Sequence, residues 1–121
     1  MCGRVTLTLT LQEVAEILNL EEEIDWQPRY NIAPTQQVPV VVKEEDENHL
    51  RLFQWGLIPY WAKDPSVGNK MINARAETID AKPSFRHCFS KQRCLILADG
   101  FYEWKREGKT RIPYRFTLSD H

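Results

Sequence analysis

The stretch VPVVVKEEDENHLRLFQWG, residues 38–56, constrains the fold of this chain more than any other. A β-branched apolar run meets a short acidic segment, and a second run with alternating apolar residues follows it. This pattern reads as a strand, an exposed hairpin tip at EEDEN and a returning strand, and a hairpin of this kind is antiparallel.

The remaining segments extend that pattern. In RVTLTL, residues 4–9, Val5, Leu7 and Leu9 alternate with Thr6 and Thr8, which is the period of a half-buried strand. Thr10 and Glu13 have the spacing of a capping box, and Leu11, Val14, Ala15 and Leu18 recur at helical spacing, which predicts an amphipathic helix over residues 11–19. QPRYNIAPTQQ reads as a loop, and GLIPYWAKDPSVGNK as a long loop of the kind that is commonly functional. MINARAETIDAKPSFRHCFSKQ predicts short helical turns broken at Pro83. RCLILAD reads as a continuous apolar strand ending at Asp99-Gly100. FYEWK then alternates, with Phe101 and Glu103 on one face and Tyr102 and Trp104 on the other. REGKT is a turn and RIPYRFTL a further strand. The sum is one α+β domain over residues 1–121, dominated by antiparallel strands.

Composition narrows the function classes. With 42% hydrophobic and 27% charged residues the chain is that of a soluble globular protein. No apolar run approaches the roughly 18 residues that span a bilayer, and MCGRVTL lacks the architecture of a signal peptide. The expectation is therefore a cytoplasmic protein with no membrane partner. A formal net charge of -1 argues against gripping nucleic acid through bulk charge. Acidic residues gather in EEEID (21–25) and EEDE (44–47), while Arg4, Arg29, Lys70, Arg75, Arg86, Arg93, Lys105 and Arg106 fall elsewhere. That separation suits one basic face, although solvated charge accounts for it equally. The three cysteines, Cys2, Cys88 and Cys94, contain no CxxC pair and suggest neither a disulfide framework nor a metal site. Cys88 and Cys94 are expected to be packing residues.

Cys2 differs because removal of Met1 would make it the N-terminal residue. Its amine and thiol, on adjacent carbons, could then condense with an aldehyde to an imine and close through sulfur to a thiazolidine. The alternative is a small residue of no chemical consequence before the first strand. Asn73, Arg75 and Glu77 in INARAE either place an amide and a guanidinium on one side of a ribbon or form a capped turn. Glu103, flanked by Phe101, Tyr102 and Trp104, is either a general acid or base or a strand residue facing solvent. Pro59, Tyr60 and Trp61 either stack on nucleobases or pack beneath the loop.

The blocks MCGR, RYNIAPTQ, WGLIPYWAKD, MINARAET and ADGFYEWK, in that order, closely resemble the SOS response-associated peptidase (SRAP) family over nearly the whole chain. The resemblance implies a partial barrel with a few short helices and a sensor of abasic sites in single-stranded DNA, nucleoid-associated in a bacterium, with replication-associated proteins as further partners. It implies a thiazolidine crosslink through Cys2 and no metal or organic cofactor. By position, Cys2 would be the nucleophile, Asn73 would orient the sugar or the cysteine, and Glu103 would move protons. Arg4 and Arg75 would hold phosphates, and Pro34 and Trp61 would shape the kinked strand. A weak abasic-site lyase and a self-cleaving peptidase that removes Met1 are secondary expectations. A cysteine peptidase and a noncatalytic remnant that binds DNA or protein are the alternatives.

Two departures from the family pattern stand out. Members run longer, and a later block supplies an active-site histidine that neither His49 nor His87 matches, so the domain is expected to be shortened at its C-terminal end. Ala62 follows Trp61 where some relatives carry a second tryptophan.

Overall fold

A computed structural model describes residues 1–21 and 24–119. Glu22 and Glu23 of the acidic EEEID run lie outside the described residues, as do Asp120 and His121.

The hairpin in residues 38–56 forms as its sequence demands. Strand β3 (Gln37–Glu44) pairs antiparallel with β4 (Glu47–Gln54) from Gln37 opposite Gln54 to Glu44 opposite Glu47. The two turn residues, Glu45 and Asp46, hold φ values of 50° and 68°. Positive φ at both central positions is the geometry that matches strand twist in a two-residue hairpin, here without the usual glycine.

Strand β1 (Val5–Leu7) leads into helix α1 (Leu11–Leu18). The capping box is formed: the Thr10 hydroxyl accepts from the Glu13 backbone N–H, and Glu13 accepts from the Thr10 N–H at 2.7 Å. Replacing such a cap with alanine costs about 1 kcal/mol. Helix α1 buries Leu11 and Val14 and ends at Asn19, which takes a left-handed conformation. After β2 (Arg29–Ile32), β3 and β4 come a 3-10 turn (Pro65–Asn69), helix α2 (Arg86–Lys91), and strands β5 (Cys94–Ile96), β6 (Gly100–Glu107) and β7 (Thr110–Phe116).

Two antiparallel sheets result, ordered β2-β1-β6-β7 and β4-β3-β5, and neither closes into a barrel. Val5, Leu7, Leu11, Val14, Ile32, Val38 and Val40 form the core between them.

Three sequence expectations need correction. RYNI, read as loop, pairs with β1 as strand β2, because Ile32 is fully buried opposite Val5. Thr6, assigned to the solvent side of β1, is 0% exposed because its hydroxyl donates to Asp99 at 2.6 Å. RCLILAD contributes a strand of only three residues, and Cys94, expected to be buried, is exposed along with Leu95 and Ile96. Cys88 is half-buried.

Candidate functional site

The site begins where the chain begins. Cys2 is half-buried against the core, ahead of β1, which lies between β2 and β6. A reactive terminus fastened to a central strand has little freedom to wander.

Two distant side chains converge on it. Asn73 donates from Nδ2 to the Cys2 carbonyl oxygen at 2.9 Å. The loop between β4 and α2 brings it there by closing at its base. Leu57 N–H donates to the Met71 carbonyl at 2.9 Å, and the Trp55 indole donates to the Ile72 carbonyl at 2.9 Å, one residue before Asn73. The loop also folds tightly on itself, since Gly56 has φ 134° and a Cβ there would collide with the Gly68 carbonyl. Glycine is the residue that both constraints allow.

Glu103 approaches from β6. Its Oε1 lies 3.6 Å from the Met1 α-amine. Phe101 stands opposite Val5, so Glu103, two residues on, shares the face that looks toward the core and the N-terminus. Tyr102 and Trp104 occupy the other face, as the alternation predicts, and the Tyr102 hydroxyl donates to the Tyr30 carbonyl at 3.1 Å.

The candidate DNA-binding residues lie just before β1 and on the loops after β2 and β4. Arg4 donates from Nη1 to Asn31 Oδ1 at 2.8 Å, and its carbonyl accepts from Tyr102 N–H at 3.0 Å. Pro34 is half-buried before Thr35, whose φ of 74° is unusual for a β-branched residue and whose N–H donates to the Trp55 carbonyl at 2.9 Å. Trp61 is 48% exposed and packs edge to face on Tyr60 at 5.0 Å. Arg75 is exposed, two residues beyond Asn73. At the terminus Asn73 bonds Cys2, Glu103 faces the Met1 amine and the Cys2 thiol donates to the Arg4 carbonyl at 3.8 Å; Trp61 and Tyr60 form an exposed aromatic pair on the loop.

The sequence reading missed a polar clamp behind the site. Asp99, 9% exposed in its side chain, accepts from the Thr6 hydroxyl, the Thr8 hydroxyl and the Thr8 N–H, each at 2.6 Å, and pairs with Arg115 at 3.3 Å. Burial works against its charge, but the bonds from Thr6 and Thr8 and the Arg115 charge outweigh it, so its carboxyl is held below the usual range. The clamp ties β1 to the connection between β5 and β6. Gly100 accommodates it, since a Cβ there would stand 2.8 Å from Thr6 Oγ1. The pairing of two threonines with an aspartate about ninety residues away leaves no local sequence signal. Asn31, which holds Arg4 from 27 positions away, likewise carries no local signal of that role.

The N-terminal cavity, about 680 Å³, is lined by Cys2 and Asn73 and by apolar residues of both sheets. His49 and His87 are not among its lining residues. Among the described residues, no group of three His, Cys, Asp or Glu side chains converges to hold a metal ion.

The model of the SOS response associated peptidase (SRAP) family matches residues 1–121. The chain belongs to the SRAP family. An SRAP relative from Bacillus subtilis (strain 168), Abasic site processing protein YoqW, is 48% identical over 98% of this chain and 54% of its own length. Abasic site processing protein YedK of Escherichia coli (strain K12) is 32% identical over 99% of this chain and 55% of its own. A crystal structure of a protein from Bacteroides thetaiotaomicron superposes with a TM-score of 0.86 at 30% identity, covering 99% of this chain and 56% of that one. The chain thus spans about half the length of the SRAP relatives it matches.

Proposed function

We propose that this chain processes abasic sites in DNA, and that it does so by crosslinking itself through Cys2 to the ring-opened sugar of an abasic site in single-stranded DNA. The observation that carries this reading is the place of the N-terminus, with Asn73 on the Cys2 carbonyl and Glu103 3.6 Å from the amine of Met1, the residue whose removal exposes the Cys2 amine. The relatives named for abasic site processing support it.

The chemistry follows from these groups. Loss of Met1 frees the Cys2 amine; α-amines titrate at about 7.7–8.0, so a fraction is neutral at neutral pH. The neutral amine adds to the sugar aldehyde, and Glu103 in its acid form protonates the carbinolamine hydroxyl, which leaves as water to give an imine. The Cys2 thiol then adds to the imine carbon. Loss of water leaves the imine nitrogen protonated; Glu103, now a carboxylate, takes the thiol proton, and as sulfur bonds to carbon the C=N electron pair moves onto that nitrogen, closing the neutral thiazolidine. Two reacting groups on one residue, held by Asn73, gain the effective-molarity advantage of intramolecular closure. An imine that persists instead permits β-elimination, which gives a minor lyase activity.

Arg4 and Arg75 hold phosphates on either side of the lesion, and Pro34 and Trp61 set the path of the strand. Bases are gripped by stacking rather than read at their edges. Peptidase action on other proteins would need a histidine base beside Cys2, and neither His49 nor His87 lines the cavity.

Cysteine variants separate the two steps. Cys2→Ser is expected to retain an adduct that borohydride traps but to lose the stable crosslink, and Cys2→Ala to lose the stable crosslink while keeping noncovalent affinity. A stable crosslink formed by Cys2→Ala would remove Cys2 from the chemistry.

A further inference from the structure

Strands β6 and β7 carry different chemistry on their two faces. On one, Phe101 stacks on Phe116, and Lys105 pairs with Glu107 at 2.7 Å, so the lysine charge is neutralised locally. The other face receives Tyr102, Trp104 and Arg106 from β6, and Arg111, Pro113 and Arg115 from β7. Arg4 falls on this second face as well, because Val5 pairs with Phe101 on the first.

Two of these cations stand without a partner. Arg115 is engaged by Thr6 and Asp99. Arg106 and Arg111 lie directly opposite each other across the ladder, and both are exposed. Among the described residues, neither guanidinium has a hydrogen bond or an ion pair. Residues so placed have Cβ atoms about 4.5–5.5 Å apart, and like charges at that spacing destabilise a sheet. The acids of β6 do not offset them, since Glu103 and Glu107 point to the other face. An anion set between the two guanidiniums removes the repulsion.

The neighbouring side chain narrows the kind of anion. Trp104, next to Arg106 on this face, is 42% exposed, with its ring 6.3 Å from that of Tyr102. A nucleic-acid strand matches that combination, with a phosphate on the arginine pair and a base on the open indole. An acidic peptide would satisfy the arginines and leave the indole without a stacking partner. On the reading above, that this chain holds single-stranded DNA, we propose that Arg106 and Arg111 form a phosphate-binding subsite on the outer face of β6 and β7. It lies three residues, about 10 Å, along β6 from Glu103. With Arg4 it makes an anion track from the N-terminus toward the β6–β7 turn. Its role is to hold strand flanking the lesion, away from the reacting atoms.

The test measures binding of an undamaged single strand of mixed sequence by fluorescence anisotropy across a salt series. Replacing both residues, Arg106→Gln with Arg111→Gln, should make the slope of log affinity against log salt shallower by about 1.4, twice the single-phosphate value of about 0.7. The gap in affinity between wild type and variant should then widen about 25-fold from about 1 M to about 0.1 M salt. Each substitution relieves like-charge opposition, so the thermal midpoint should not fall, and the two single variants give the same reading separately. Lys105→Gln removes one charge from the opposite face and should leave the slope unchanged. Equal shallowing per charge by Lys105→Gln would show an effect of overall charge and overturn the subsite. Wild-type binding with an unchanged slope in the double variant would overturn the subsite alone. Wild-type protein that binds no single strand would overturn the DNA-binding reading together with it.

Discussion

Asn73 Nδ2 stands 2.9 Å from the carbonyl oxygen of Cys2, across 71 positions of sequence. That bond links the loop after β4 to the N-terminus, and it fixes the residue whose amine and thiol are proposed to react. Asn73→Ala removes one hydrogen bond and leaves the fold intact. Since such a bond is worth about 0.5–1.5 kcal/mol, crosslinking should slow by roughly 2- to 13-fold. Single-turnover rates on an abasic oligonucleotide, with circular dichroism as the folding control, check it.

Glu103→Gln keeps the shape of the side chain and removes its ability to exchange a proton. The expected loss is about 10²- to 10⁴-fold in the rate of crosslink formation, with noncovalent affinity unchanged. An equal fall in affinity would mean that Glu103 contributes to binding rather than to proton movement.

Arg75→Ala should weaken noncovalent binding to undamaged single strands irrespective of sequence. If its guanidinium meets one phosphate, the slope of log affinity against log salt becomes shallower by about 0.7. Fluorescence anisotropy across a salt series measures that slope.

Asp99 makes stability depend on acid. Its folded-state carboxyl is held below the usual range, so the stabilisation is fully present above the unfolded value of about 3.9 and is lost as pH falls through the folded value. Asp99→Asn should lower stability at neutral pH by about 1–3 kcal/mol and flatten the loss of stability below pH 4. Urea melts at a series of pH values resolve both effects.

Gly56→Ala places a Cβ against the Gly68 carbonyl in a backbone with φ 134°. A cost of at least about 2 kcal/mol is expected from strain and overlap together. Because this loop carries Asn73, the rate of crosslinking should fall with it, which denaturant melts and rate measurements on one sample would show.

Much of this architecture was legible in the sequence where hydrophobic period and burial agree. The β3 and β4 hairpin and helix α1 are of this kind, since Val38, Val40 and Leu50, or Leu11 and Val14, are both periodic and buried. Strand β2 was not legible, because Arg29, Tyr30 and Asn31 are polar or exposed and only Ile32 is buried. Thr6 was misplaced for a different reason. A hydroxyl can enter the interior when a buried acceptor waits for it, and Asp99 is distant in sequence. Strand β5 defeated the rule that apolar runs are buried, because its cleft stands open among the described residues. The candidate site residues stand out through ordered blocks rather than periodicity: the pairing of β1 with β6 carries Glu103 to the Met1 amine, and the closure of one loop carries Asn73 to Cys2.

The central claim is that Cys2, freed of Met1, condenses with the abasic aldehyde. Intact mass under denaturing conditions, after incubation with single-stranded DNA carrying one abasic site, tests it directly. The predicted species has the mass of the Met1-free protein plus the DNA minus one water, and it is absent for Cys2→Ala. Free protein lacking Met1 and forming no adduct would contradict it.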